Sequence, residues 1–281
     1  ITDSPRRNST TPTSYMLADH KAVTSRTLQL HGIPCPKFVY VSKPLTPTQM
    51  QQALTTHGIA FPVVVKPIDG TQGYNVHLNV HTVADVCRLC NTLLRTKKRK
   101  VIVEEQVQGD NYRVMVHNGK VFDIVKRETA SVTGDGARTV QQLIDARNAQ
   151  QKARKLFPTH NVDEGHLRKQ LQLPTHTDVM AHVLANGKTV TITNVENYHN
   201  GCNTTRVPLS KVHPDNLAMF AKVNEVLGLN LSGLDYMCTS SMDVSHPAHG
   251  GGVVIEVNPG PCLNMHKDAL QQDTGKKDTG V

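Results

Sequence analysis

Short β-branched runs alternate irregularly with stretches whose apolar residues recur at helical spacing. Phe61 to Pro67 (FPVVVKP) is a continuous apolar run of the kind that makes a buried strand, and a polar loop from Asp69 to Asn75 leads into a strand at Val76 to Val80. A first helix is expected up to Gly32, because Ile33-Pro34 and Cys35-Pro36 cannot continue one. Thr46 can cap a second helix, with Pro47 at its first position, Met50 and Leu54 on one face and Gly58 past its end. Thr82 starts a third, with Asp85 three residues on and Val83, Val86, Cys87, Cys90 and Leu94 on one face. Residues 1–14, rich in Ser, Thr, Pro and Arg, read as a flexible lead-in.

Beyond the third helix the pattern turns to strands. Val101 to Val107 (VIVEEQV) is one, and Tyr112 to His117 and Lys120 to Glu128 flank Asn118-Gly119, a strong hairpin signal. Asn186-Gly187 predicts a second hairpin between Val179 to Ala185 and Lys188 to Thr193. Between the hairpins, Thr139 begins a short helix carrying Val140, Leu143 and Ile144, and a long polar stretch follows around Phe157 to Pro174. Pro214 and Asp215 open a helix with Leu217, Phe220, Val223 and Leu227 on one face, stopping at Gly228. Strands at Leu231 to Cys238 and Gly252 to Asn258 complete the pattern, which is α+β with antiparallel hairpins and no visible internal repeat.

A chain of 281 residues, 38% of them hydrophobic, can bury one sizeable core or two smaller lobes sharing a cleft, which excludes disorder throughout. No stretch approaches the roughly 20 apolar residues that cross a bilayer, so no membrane partner is expected. Six scattered cysteines are too few for a disulfide scaffold and point to a reducing compartment, the cytoplasm. Cys87 and Cys90 form a C-x-x-C pair, but both lie on a core stripe and no second pair stands at zinc spacing, so packing is the expected role. The formal net charge is +8, which fits an anionic partner. Nucleic acid is disfavoured: there is no Trp, and the densest basic run, Arg95 to Lys100, has no aromatic interleaved. The chain opens with Ile1 rather than Met, so a fragment of a longer protein is expected.

Three segments carry candidate chemistry. In Val253 to Asn258 (VVIEVN), strand periodicity puts Glu256 and Asn258 on one face, and a carboxylate beside an amide oxygen suits a hard cation such as Mg²⁺, with Asp235 on the preceding strand as a third oxygen. Lys66 stands at the end of its apolar strand, directly before a loop containing Gly70 and Gly73 whose N–H groups could cradle phosphate; the order differs from a Walker A loop, where the Lys follows the glycines. Glu104 and Glu105 end an apolar strand and lead to Gly109 and Asp110, an arrangement suited to a nucleoside's amino group or ribose. No H-E-x-x-H pair occurs among the 15 histidines.

In this order and spacing the chain resembles the ATP-grasp superfamily, in particular the ligase domain of cyanophycin synthetases and bifunctional glutathione synthetases. The resemblance runs through DHKAVTSRTLQLHGIPCP (19–36), VVVKPIDGTQG (63–73), VIVEEQVQGDNYRV (101–114) and KRETASVTGDGARTVQQLI (126–144), and on through NYHNGCNTTRV (197–207), HPDN (213–216) and LSGLD (231–235) to VIEVNPGPCLNMH (254–266). It implies an ATP-grasp fold whose two α+β lobes, 15–107 and 108–267, grip ATP, with a polar tail at 268–281. It further implies Lys21 and Lys66 as phosphate-binding lysines, Glu104 at the start of the adenine-holding linker, and Asp235, Glu256 and Asn258 as Mg²⁺ ligands. Arg113 and Arg127, with Lys126 beside them, fall where the family places basic groups facing phosphate or acyl-phosphate.

The implied activity is an ATP- and Mg²⁺-dependent carboxylate–amine ligase forming a peptide or isopeptide bond through an acyl-phosphate. Its substrate would be a small amino acid or an acidic peptide, and a flanking domain or a homo-oligomer would supply further contacts. Departures from the family pattern at Tyr74, Asn75, Asn111, Asn264 and His199 to Cys202 keep two alternatives open: a glutathione-synthetase-like ligase, and a module that binds nucleotide without catalysis. Gly134-Asp135-Gly136 is either a lid segment near the active site or a surface turn capping the Thr139 helix.

Overall fold

In a computed structural model of the chain, the structure describes residues 10–68, 75–97, 100–194, 196–267 and 269. The elements begin with α1 (Pro12–Asp19), α2 (Lys21–Leu30), β1 (Phe38–Val41), α3 (Pro47–Thr56), β2 (Val63–Pro67), β3 (His77–Val80), α4 (Val83–Lys97) and β4 (Val101–Glu105). There follow β5 (Asp110–His117), β6 (Lys120–Glu128), β7 (Ser131–Thr133), α5 (Val140–Ala153), α6 (Glu164–Leu171), β8 (Thr189–Thr191) and β9 (Asn203–Arg206). The last are α7 (Pro214–Leu227), β10 (Leu231–Cys238), α8 (His246–His249) and β11 (Gly252–Asn258). Contacts divide the chain into one unit of residues 1–124 and 207–263 and another of 125–206 and 264–281.

In the first unit, an antiparallel sheet of order β1-β4-β2-β3 lays one face on α3 and α4. Val63 and Val65 of β2, Val101 and Val103 of β4, and Met50, Leu54, Val86, Cys87 and Cys90 of the helices form that core, so the C-x-x-C pair is packing, as its stripe predicts. Side chains alternate along a strand, so Val64 and Lys66 of β2 and Ile102 and Glu104 of β4 share the other face. There Ile102 packs with Ile68 and with Ala22 of α2.

A second sheet in this unit runs β11-β10-β5-β6, and Val114, Val116, Ile124, Leu234, Val254 and Val257 pack with Phe220, Val223 and Leu227 of α7. The β5–β6 turn uses Asn118 and Gly119 at φ 50° and 66°, the left-handed pair that a two-residue hairpin demands. Asn224 of α7, buried in this core, accepts from Ser232 and donates to the Val116 carbonyl, so its amide is not left unsatisfied. Tyr236 packs edge-on against Phe220 and its hydroxyl lies 2.6 Å from His246 Nδ1.

In the second unit, β9 pairs with the last four residues of β6, and β7 pairs with β8. Val132, Val140, Leu143, Ile144, Leu167, Leu184 and Ile192 make its core. Thr139 and Gln142 form a capping box at the start of α5, which is longer than the short helix expected.

Several sequence expectations are corrected. The first helix is two: His20 is extended between α1 and α2 and its Nδ1 caps Val23 N–H, a capping role the sequence does not advertise because His is not among the preferred cap residues. Residues 12–14 are helical, with Thr11 as cap. The polar stretch after Phe157 holds α6, capped by Asp163. Asn186-Gly187 does turn the chain, but β8 pairs with β7 and Val179 to Ala185 makes only a single bridge, Val183 to Thr139. The Gly134 to Gly136 segment is pinned: Gly134 and Gly136 donate to the Lys188 and Leu184 carbonyls, and a Cβ at Gly134 would clash with the Ala185 carbonyl oxygen. Asp135 accepts from the Ala137 and Arg138 N–H groups, and these bonds with the Arg138 guanidinium hold its carboxyl well below the usual range. That geometry favours the capping turn.

Because Phe220 is fully buried against Tyr236, Phe220→Ala should cost about 3–5 kcal/mol. Chemical denaturation monitored by circular dichroism measures the loss, and a shift below about 1 kcal/mol would contradict this packing.

Candidate functional site

Lys66 and Glu104 are both buried and their side chains form an ion pair across neighbouring strands. The register explains it: Val64 stands opposite Glu104, and Lys66 lies two residues along on the same face. Lys66 is therefore not the exposed cleft lysine that its place before a polar loop suggests. Removing it alone would strand a buried carboxylate, at about 3–5 kcal/mol.

The second cluster is a rank across the other sheet. Asp235 on β10 is the register partner of Arg113 on β5 and of Glu256 on β11. Arg113 Nε lies 2.8 Å from Asp235 Oδ1, an ion pair whose N–H is not aligned as a hydrogen bond. Lys21, the first residue of α2, closes the rank with Nζ 3.1 Å from Glu256 Oε1. Asn258, two residues beyond Glu256 and opposite Gly233, donates its amide to the Gly233 carbonyl at 3.3 Å. That leaves the Asn258 amide oxygen on the same face as the two carboxylates, a set of hard oxygens that fits a cation such as Mg²⁺. Among the described residues, no cluster of three His, Cys, Asp or Glu side chains has metal-binding geometry, so a cation held here would have two carboxylates and the amide oxygen as its protein ligands.

α2 connects the clusters. Lys21 reaches Glu256 on one sheet, while Ala22 beside it packs on Ile102 of the other, two residues from Glu104 on the same face.

The other predicted residues fare differently. Glu105 faces away from Glu104 and accepts the Lys37 N–H at 2.9 Å, tying the chain before β1 to β4. Asp110 is exposed at the start of β5 and accepts from the Tyr112 hydroxyl at 3.3 Å. Gly70 and Gly73 lie outside the described residues. Lys126 and Arg127 belong to the second unit: Lys126 lies 3.5 Å from Glu128, and Arg127 is buried on β6 opposite Thr204. Gly233 was missed. A Cβ there would stand 2.7 Å from Arg113 Nη1, so the small residue lets the guanidinium lie across β10 toward Asp235. A glycine inside the apolar strand LSGLD was the available signal.

Residues 18–139 match the family described as RimK-like ATP-grasp domain. These residues therefore belong to the ATP-grasp family, and the chain as a whole has the ATP-grasp fold. It is 31% identical over 262 residues to the cyanophycin synthetase of Synechocystis sp., covering 89% of this chain and 28% of that protein. It is 25% identical over 269 residues to the glutathione biosynthesis bifunctional protein GshAB of Mannheimia succiniciproducens, covering 92% of this chain and 34% of that protein. The crystal structure of a bifunctional glutathione synthetase from Pasteurella multocida shares the fold, with a TM-score of 0.60 at 19% identity over 94% of this chain and 37% of that one. The chain thus spans about a third or less of the length of these relatives.

Five of the six cysteines are buried and Cys262 is exposed. Burial, with the Glu104 charge nearby, pushes the Cys35 thiol up to about 12, and burial also raises Cys90 to about 12. A raised thiol stays protonated and unreactive below that pH. At mildly alkaline pH an aromatic disulfide reagent should therefore modify one thiol per folded chain, and Cys262→Ser should remove that reaction. Rapid labelling of a second thiol in the folded protein would contradict the buried placement.

Proposed function

We propose that this chain is the nucleotide-binding core of an ADP-forming carboxylate–amine ligase resembling cyanophycin synthetase. In this reading a substrate carboxylate attacks the γ-phosphate of ATP, and an amine displaces phosphate from the resulting acyl-phosphate to give a peptide or isopeptide bond. The observation that carries the reading is the pair of charged clusters joined by α2: Lys66 with Glu104 on one sheet, and Arg113, Asp235, Glu256 and Lys21 on the other. The arrangement holds no nucleophile poised beside a base, and acyl-phosphate chemistry needs none. It needs cations to orient phosphates and offset the charge on the transferring group.

Lys66 and Lys21 would bind phosphate oxygens, Arg113 the transferring phosphate, and Glu104 the nucleoside's amino group. Asp235, Glu256 and Asn258 would hold Mg²⁺, which supplies charge neutralisation at the phosphates when bound. Arg127, with Lys126, would serve as a basic group for phosphate or acyl-phosphate. The substrate would be an amino acid or acidic peptide, and flanking segments or a second copy would complete its site. Buried free thiols fit a reducing, cytoplasmic setting.

A second reading, nucleotide binding without turnover, is favoured by one observation: Asp235 and Glu256 already carry cations at contact distance.

ATP with Mg²⁺ should raise the melting temperature. Ligand at about a hundredfold excess over Kd stabilises by about 2.7 kcal/mol, roughly 5–10 °C for a chain of this size. The double variant Lys66→Met, Glu104→Gln keeps the buried face neutral and should abolish that shift. A wild-type protein whose melting is indifferent to millimolar nucleotide would overturn the reading.

Asp235→Asn combined with Glu256→Gln should lower ADP release by about a hundredfold or more, since several kcal/mol of charge stabilisation are removed while shape is kept. ADP release measured across amino acids and acidic peptides separates the two readings. Binding with no release for any substrate would leave the second.

A further inference from the structure

A groove of about 1070 Å³ opens in the first unit between α2 and β1, and Lys66, Asp235 and Glu256 do not line it. α2 divides its faces: Lys21, Thr24, Ser25 and Leu28 turn to β11, whereas Val23, Arg26 and Thr27 turn to the groove. The opposite wall follows from strand alternation, since Val39 and Val41 are in the core beneath α3 and α4, and Phe38 and Tyr40 face the other way. Val23 and Tyr40 are 36% and 39% exposed, so the floor is apolar and open to solvent.

The rim has one sign. Arg26 and Lys37 are the charged residues lining the groove, and no Asp or Glu lines it. Lys100 adds a further cation, its Nζ 5.9 Å from the Tyr40 ring centroid. No hydrogen bond or ion pair engages the Arg26 guanidinium among the described residues. β1 is also the outer strand of its sheet, bonded to β4 on one side only. Among the described residues no strand lies beside its other edge, whose backbone N–H and C=O groups are a template for an added strand.

We propose that this groove docks an extended acidic peptide, which adds as a strand to the free edge of β1. Alternate side chains enter the apolar floor at Val23 and Tyr40, and carboxylates meet Arg26 and Lys37. Backbone bonds supply the register and side-chain pockets the selectivity, as in other strand-addition sites. The free strand edge favours a peptide over a free amino acid, because only a peptide backbone can bond along its length. A strand edge with an apolar floor suits a polypeptide better than a nucleic-acid backbone, whose phosphates would leave both unused. The proposal deepens the ligase reading and rests on it for the peptide's role as substrate; the docking itself does not.

The test is fluorescence anisotropy at near-physiological salt with a fluorescein-labelled peptide of alternating aspartate and valine. Arg26→Glu should weaken binding tenfold or more with unchanged melting. Lys211→Glu, on the exposed turn Leu209–Lys211, should change it less than twofold, as should Lys66→Met with Glu104→Gln. Hydrogen exchange should show peptide-dependent protection of the amides in Phe38–Val41. Equal losses from Arg26→Glu and Lys211→Glu would reduce the effect to net charge and overturn the proposal, and so would equal competition by a single-stranded oligonucleotide. Loss of peptide binding in the Lys66, Glu104 double variant would move the peptide to the nucleotide site and equally overturn it. Peptide binding with no nucleotide shift in the wild-type protein would uphold the groove while the ligase reading failed.

Discussion

A charge removed from water must find a counter-charge, and the arrangement of both sheets in the first unit follows from that constraint. Lys66 and Glu104 are each 7% exposed, on a face whose other side chains, Val64 and Ile102, are apolar. Either charge alone there would be untenable; together they are tolerated because strand register brings them into contact. The same logic orders the other sheet. Arg113, Asp235 and Glu256 are register partners on three adjacent strands, and Lys21 supplies the second cation from a helix, so signs are balanced along the rank. Two carboxylates side by side without those cations would repel and oppose the β10–β11 pairing.

α2 touches the sheets that carry both balanced clusters. Its first residue serves one sheet and its second the other, so the helix must begin at residue 21 and not a turn earlier. The break at His20 achieves this: an extended residue ends α1, and its imidazole accepts the Val23 N–H that would otherwise be orphaned. Thr24 strengthens the corner by donating to the Leu17 and Ala18 carbonyls. A local capping device thereby fixes the position of a long-range ion pair, and another face of the same helix forms one wall of the groove beside β1.

How much of this was legible depended on whether the signal was local. β10 and β11 fall at the residues their patterns predict, and Pro47, Pro214 and Gly228 mark α3 and α7 where turn and cap chemistry puts them. Glu256 and Asn258 on one face follow from period two alone. The α1–α2 break was not legible, because His is a weak cap signal, and the partner of β8 was not, because an Asn-Gly turn reports a reversal and not what pairs beyond it. The different fates of Glu104 and Glu105 illustrate the same limit. Alternation says that they face opposite ways, but only strand order, with β1 on one side of β4 and β2 on the other, decides that Glu104 meets Lys66 and Glu105 meets Lys37 N–H. Gly233 was hidden likewise, since its partner Arg113 is distant in sequence.

In the proposed function, a site assembled from ion pairs binds nucleotide by exchange. Phosphate arriving at Lys66 replaces a carboxylate already there, so the gain is the difference between two charge-assisted contacts, far smaller than either alone. Glu104, once released, is a buried anion that must be satisfied again, and a nucleoside's amino group is a donor of the right kind. Affinity then depends on the whole nucleotide: the phosphates free the carboxylate that the base must occupy. A ligand bringing phosphate alone would leave Glu104 stranded, and one bringing a base alone would find it engaged. On that reading, selectivity for a complete nucleotide over its fragments would follow from the burial of one lysine–glutamate pair.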